Sequence, residues 1–76
     1  MNIYVGNISW GLEDQDLENV FAEHGTVTSA KIIKDRATGR SRGFGFVEMS
    51  DGGEAAIEAL NGTEVDGREL VVNESR

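Results

Sequence analysis

Three aromatic side chains, Tyr4, Phe44 and Phe46, stand at positions that put them on one side of an extended backbone. In such a backbone alternate side chains point to opposite faces. The stretch 42–49 therefore offers Arg42, Phe44, Phe46 and Glu48 on one face and Gly43, Gly45, Val47 and Met49 on the other. Val47 and Met49 continue the apolar parity of a core, which leaves the two phenylalanines outward. Ile3 and Val5 flank Tyr4 in the same manner, with the aliphatic pair inward and the ring outward. Flat π-faces on an open surface can stack on other planar rings, and cations beside them can hold anions.

The cations are near at hand. Lys31, Lys34, Arg36, Arg40 and Arg42, five of the seven basic residues, fall within twelve positions where Asp35 is the only acid, a local charge of +4. The whole chain carries 7 Lys and Arg against 14 Asp and Glu, a net charge of −7, which taken alone argues against a polyanionic partner. Distribution outweighs the sum, because screening acts over about 8 Å at physiological salt. The acids Glu13, Asp14, Asp16, Glu18 and Glu23 gather in one early segment, so the chain reads as dipolar.

Bond-breaking chemistry finds few candidates. His24 is the sole histidine and there is no cysteine, so neither a thiol nucleophile nor a thiolate metal site is available. His24 precedes Gly25 at the end of an acidic helical segment, a place that suits capping better than proton transfer. No Gly-rich loop ends in Lys-Ser or Lys-Thr, and Asp14-Gln15-Asp16 lacks the glycine and the distant glutamate of a calcium loop. The expectation is a binding module without cofactor or metal, not an enzyme.

The elements that must position these residues follow from periodicity. A strand of about five residues ends near Asn7. Leu17, Val20 and Phe21 give a helical stripe from about Asp14 to His24, with Glu13 or Asp14 at its start and Gly25 where a left-handed C-cap would fall. Val27 to Lys34 is a second strand, and Thr38-Gly39 suits a turn or flexible hairpin loop before a third strand from Phe44 to Met49. Asp51 with Glu54 resembles a capping box for a helix carrying Ala56, Ile57 and Leu60. Asn61-Gly62 ends that helix, Asp66-Gly67 makes a tight turn, and Leu70 to Asn73 is the last strand. The order βαββαβ predicts an α+β, ferredoxin-like sandwich: a four-stranded antiparallel sheet with two helices on one face and the other face bare. Trp10, in the loop after the first strand, is expected to lie as a lid over the end of the core.

These residues carry a family resemblance. RGFGFVEM at 42–49 looks like the octamer signature of RNA-recognition motifs, and IYVGNI at 3–8 looks like their hexamer signature. LENVF at 17–21, ALNG at 59–62 and GRELVVNE at 67–74 extend the similarity, so residues 1–76 read as a single such motif. The short format resembles small single-domain RNA-binding proteins of bacteria, including cyanobacteria. The resemblance implies that Tyr4 and Phe46 each stack on a base, that Phe44 packs against sugars or a neighbouring base, and that Arg42 bonds a phosphate. Lys31, Arg40 and Arg36 are the further phosphate candidates. Asn73 is a candidate on the last strand, around which base preference is set.

The expected partner is single-stranded RNA, since RNA sequence is read mainly from unstacked bases. Single-stranded DNA would bind more weakly, and a role in RNA chaperoning or post-transcriptional regulation would follow from the family. The competing reading is a protein-binding module of the same fold, in which the sheet or the acidic helix engages another protein, a basic one if the helix is the interface. Glu48, on the face with the rings, either accepts a hydrogen bond from a base or marks the edge of the path. Gly43 and Gly45 suit close packing of the sheet on the helices. Nothing in the chain reads as a leader, a membrane span or a C-terminal extension over the sheet, which predicts a cytoplasmic monomer of micromolar affinity.

Overall fold

The computed structural model describes residues 1–75. Its elements are β1 (Asn2–Gly6), α1 (Asp14–Ala22), β2 (Thr26–Lys34), β3 (Ser41–Asp51), α2 (Gly53–Leu60), β4 (Glu64–Val65), β5 (Arg68–Glu69) and β6 (Val71–Ser75). The main sheet runs β2-β3-β1-β6, antiparallel throughout, which is the expected ferredoxin-like arrangement. β4 and β5 form a separate small hairpin absent from the sequence reading. Asp66 and Gly67, with φ of 52° and 84°, make its turn, and two such central residues match the twist of paired strands.

One core lies between sheet and helices. Ile3 and Val5 of β1, Ile32 of β2, Val47 and Met49 of β3, and Val72 of β6 all face it, each at most 2% exposed. Leu17 and Phe21 of α1 and Ala56 and Leu60 of α2 close it from the other side. Met49 thus goes inward as parity predicts. Among the described residues no helix covers the opposite face of the sheet, so the outward side chains of the four strands are left half-buried or exposed.

Two local readings change, and a third is narrowed. Gly25 is not a left-handed cap: α1 ends at Glu23 in right-handed geometry, and Gly25 lies where a Cβ would strike the backbone of Asp51 and Gly52. Asp51 does not cap α2. Gly52 is the N-cap, at φ 74°, while Asp51 Oδ1 accepts the Thr26 N–H at 2.8 Å and ties the start of β2 to the end of β3. Of the two forms open to Thr38-Gly39, residues 35–40 adopt the closed turn. Asp35 N–H donates to Arg40 O at 2.8 Å, Gly39 N–H donates to Asp35 O at 2.8 Å, and Asp35 Oδ1 accepts from Ala37 N–H and Thr38 N–H at 2.8 and 3.2 Å.

At the start of α1, Glu13 is the N-cap residue and its N–H donates to Asp16 Oδ2 at 2.9 Å. Asp14 Oδ1 accepts the Ile32 N–H at 2.8 Å, joining the helix to β2. Acids in a first helical turn also complement the helix dipole, so two of the acidic residues have structural work.

Candidate nucleic-acid interface

Register decides which outward side chains are neighbours. Lys31 of β2 pairs with Phe46 of β3, Phe46 pairs with Tyr4 of β1, and Tyr4 pairs with Asn73 of β6. These four candidates, from four strands, therefore form one straight row across the bare face. One step along, Phe44 pairs with Gly6, and Gly6 with Val71.

The three rings form a cluster. Tyr4 and Phe44 lie nearly parallel, with centroids 6.2 Å apart and 28° between planes. Phe46 stands edge-on to both, at 6.0 Å and 65° from Tyr4 and at 6.2 Å and 87° from Phe44. Such offset and edge arrangements are the favoured ones for aromatic pairs. They buttress the rings without covering them: Phe46 is 39% exposed and the other two are half-buried. Gly6 permits this layout, because a Cβ there would lie 2.6 Å from the Tyr4 hydroxyl and 3.0 Å from Cε2. The Tyr4 ring leans along its own strand over the space that Gly6 leaves empty.

The glycines of β3 have a different purpose from the one expected. A Cβ on Gly45 would meet the Lys31 carbonyl and, at 3.0 Å, Ile32 Cα. The close neighbour is thus strand β2 and not a helix. Gly43 has room for a Cβ, with nothing nearer than 3.8 Å, but its φ of 83° is left-handed. Between the pairs Ile32–Gly45 and Lys34–Ser41, β3 carries two more residues than β2. This irregularity interrupts the alternation at Gly43, so Arg42 is exposed beyond it without a register partner.

The basic candidates divide by position. Lys31 is exposed in the aromatic row. Arg36 and Arg40 are exposed in the 35–40 turn. Asp35, which pairs with Arg40, is four residues along from Lys31, so Arg40 lies about 13 Å from the row. Lys34 is engaged elsewhere, with Nζ 3.3 Å from Glu13 Oε2. Among the described residues no ion pair holds Lys31, Arg36, Arg40 or Arg42.

Trp10 is not a lid. It is 73% exposed, turned outward by a tight loop in which Leu12 N–H donates to Ser9 O at 3.1 Å and Ser9 Oγ donates to Asp66 Oδ2 at 2.8 Å. Its ring borders a cavity of about 380 Å³ shared with Lys34 and Arg40. The sequence reading also missed Val71, which is 45% exposed in the row of Phe44. Parity could have found it, since Leu70 and Val72 are both inward, but a continuous Leu-Val-Val run hides alternation. Among the described residues no group of three or more side chains could hold a metal ion, and no helix is long and apolar enough to cross a membrane.

The model of the RNA recognition motif family matches residues 3–71. The chain is 52% identical over 75 residues to the 29 kDa ribonucleoprotein, chloroplastic, of Arabidopsis thaliana, covering 96% of this chain and 22% of that protein. It is 56% identical over 73 residues to the 31 kDa ribonucleoprotein, chloroplastic, of Nicotiana sylvestris, covering 93% and 23%. The chain thus spans under a quarter of the length of these two curated relatives. Both are plant proteins with the chloroplast in their names, and they lend no support to a bacterial, cytoplasmic origin. Among solved structures it superposes on RNA Binding Protein PG1 with a TM-score of 0.95 at 52% identity, covering 99% of this chain and 93% of that one. It superposes on the Rna15 RRM with bound RNA (GU) with a TM-score of 0.87 at 29% identity, covering 97% and 81%.

Proposed function

This chain belongs to the RNA recognition motif family, and from that membership we propose that residues 1–76 act as one module that binds single-stranded RNA on the bare face of its sheet. Tyr4 and Phe46 each stack on a base, and Phe44 packs against a sugar or the neighbouring base. Lys31 and Arg42 contact phosphates, with Arg36 and Arg40 meeting the strand where it runs past the β2–β3 turn. Asn73 closes the row on the β6 side with a side chain that can both donate and accept.

The observation that carries this reading is the row Lys31, Phe46, Tyr4 and Asn73, in which two rings sit between a cation and an amide on a surface that no helix covers. A cluster of partly exposed rings on one face of a small domain marks an interaction site, and planar partners suit it. Unpaired bases are such partners: every base has a π-face, and base–aromatic stacking contributes about 1–3 kcal/mol per base. Duplex RNA offers no free faces, and its major groove is too narrow for side chains. Two or three stacked bases with a few phosphates, less the cost of association, correspond to roughly micromolar affinity. DNA lacking the 2′-hydroxyl uses the same rings with fewer contacts and binds more weakly. The reading contains no catalytic step, and the domain acts as a monomer because its one bare face is given to RNA. What supports a regulatory or chaperoning role is membership of the family.

The test is fluorescence anisotropy with labelled random single-stranded RNA and matched duplex RNA. Wild type should bind the single strand and not the duplex, and the folded Phe44→Ala/Phe46→Ala variant should lose that binding. No wild-type binding at low salt would overturn the proposal and leave a protein partner in its place.

A further inference from the structure

Beside the aromatic row runs a row that has no ring. Ser29 pairs with Glu48, Glu48 with Asn2, and Asn2 with Ser75, so a polar band crosses the sheet one step from Lys31, Phe46, Tyr4 and Asn73. Glu48 is the one ionisable side chain in that band and it is exposed. A register irregularity between Val27 and Ser29 brings Thr28 onto it. Thr28 Oγ1 is 3.1 Å from both Glu48 Oε1 and Glu48 O, so its single hydrogen is shared between the two acceptors. The hydroxyl steadies the carboxylate from the β2 side. Oε2 makes no hydrogen bond among the described residues, and no ion pair there neutralises the group.

An unneutralised carboxylate on a surface that binds a polyanion repels phosphate. It contributes favourably only to a group that brings hydrogen-bond donors, which on RNA are the ribose 2′-hydroxyl and, on the bases, N–H groups. Glu48 follows Phe46 by two positions, about 7 Å along the strand, a span bridged by a base lying over the ring and a glutamate leaning toward its edge. An ionised carboxylate accepts and never donates. Guanine carries N1–H and N2–H side by side on its Watson–Crick edge, which meets the two oxygens in parallel. Uracil has one N–H between two carbonyl oxygens, and cytosine and adenine each set an amino group next to a ring acceptor, so all three oppose an acceptor with an acceptor.

We propose that Glu48, steadied by Thr28, reads the edge of the base stacked on Phe46 and selects guanine there. The inference rests on the RNA-stacking reading above. Because Glu48 is exposed, the expected preference is about five- to tenfold, the lower part of the range for a bidentate base contact.

The experiment compares short oligouridines carrying one central guanosine, inosine or uridine. Inosine keeps N1–H and lacks the N2 amino group, so it isolates the second bond. Wild type should bind the guanosine strand about five- to tenfold more tightly than the uridine strand, with inosine between. Glu48→Gln, whose amide can donate to a uracil carbonyl and accept from N3–H, should bring the guanosine-to-uridine ratio to one or below. Removing a negative charge strengthens binding to all three strands alike, so the ratio is free of that effect. A wild-type ratio near one, or a Glu48→Gln ratio equal to that of wild type, overturns the inference. If such a result comes with binding that Phe46→Ala abolishes, the stacking reading stands and only base selection by Glu48 fails. If wild type binds none of the strands at low salt, both fail.

Discussion

Replacing Phe46 by leucine separates two things that replacement by alanine would confound. The ring is 39% exposed and stands edge-on to Tyr4 and Phe44 with centroids 6.0 and 6.2 Å away. Alanine would remove the stacking face and also both aromatic contacts, each contributing about 0.5–1.5 kcal/mol beyond area burial. A domain of 76 residues has a stability of roughly 4–11 kcal/mol, so such a loss would be felt in folding, and an alanine binding result has to be paired with proof that the variant is folded. Leucine keeps apolar bulk on the sheet, retains most of the burial against Tyr4 and Phe44, and lacks a π-face. The expected folding loss is about 1 kcal/mol, since two edge contacts weaken while the area stays largely covered. The expected binding loss is about 1–3 kcal/mol, the contribution of one base–aromatic stack, which is a rise in Kd of about five- to 150-fold. Urea unfolding followed by circular dichroism measures the first quantity, and anisotropy with labelled single-stranded RNA the second. Phe46→Trp is the companion, with a larger π-face and binding equal to wild type or tighter. A Phe46→Leu variant that binds as tightly as wild type would show that the surface uses apolar area and not ring faces, and the stacking argument would fall.

The remaining expectations probe the cations and the glycines. Lys31→Ala should weaken binding to all sequences alike and reduce the log–log salt slope by about 0.7, as for one lost phosphate on a single strand; an unchanged slope would remove Lys31 from the path. Gly6→Ala should push the Tyr4 ring from its place, because the new Cβ would lie 2.6–3.1 Å from its outer atoms. The ring is the mobile partner in that collision, so RNA affinity should fall several-fold with a small change in the urea midpoint, and equal affinity would mean that the Tyr4 pose is irrelevant. Gly45→Ala meets the backbone of β2 instead, so its damage should appear in stability, about 1–3 kcal/mol by urea unfolding. Asp51→Ala should cost about 0.5–1.5 kcal/mol by removing the acceptor of the Thr26 N–H, whereas the capping-box assignment predicts that thermal unfolding would first expose α2 amides to hydrogen exchange.

Much of the fold was legible because its signals are short-range. Alternation in Ile3-Tyr4-Val5 and in residues 44–49 told inward from outward, and the spacing of Leu17 and Phe21 gave the buried face of α1. Local misreadings share one cause, which is that contacts between distant segments overrode a residue's familiar local use. Asp51 looked like a helix cap and instead reaches Thr26, twenty-five positions away. Gly25 looked like a helix end and instead makes room for Asp51 and Gly52. Trp10 looked like a core lid because tryptophan is apolar, yet a tight loop held by Ser9 and Asp66 turns it to solvent.

The sequence by itself determined the parity of β1 and of residues 44–49, the order of the four sheet strands and two helices, and the identity of three rings on an uncovered face, because periods of two and of 3.6 are properties of neighbouring residues. Only the tertiary structure decided that Lys31, Phe46, Tyr4 and Asn73 stand in one line, that the Tyr4 ring rests over Gly6, and that Thr28 meets Glu48. Those relations depend on which strands lie side by side and in what register. A shift of one residue in pairing would send an entire set of side chains to the other face, and the irregularities that break the β2–β3 register at Val27/Ser29 and Ile32/Lys34 appear only once the two strands are laid side by side.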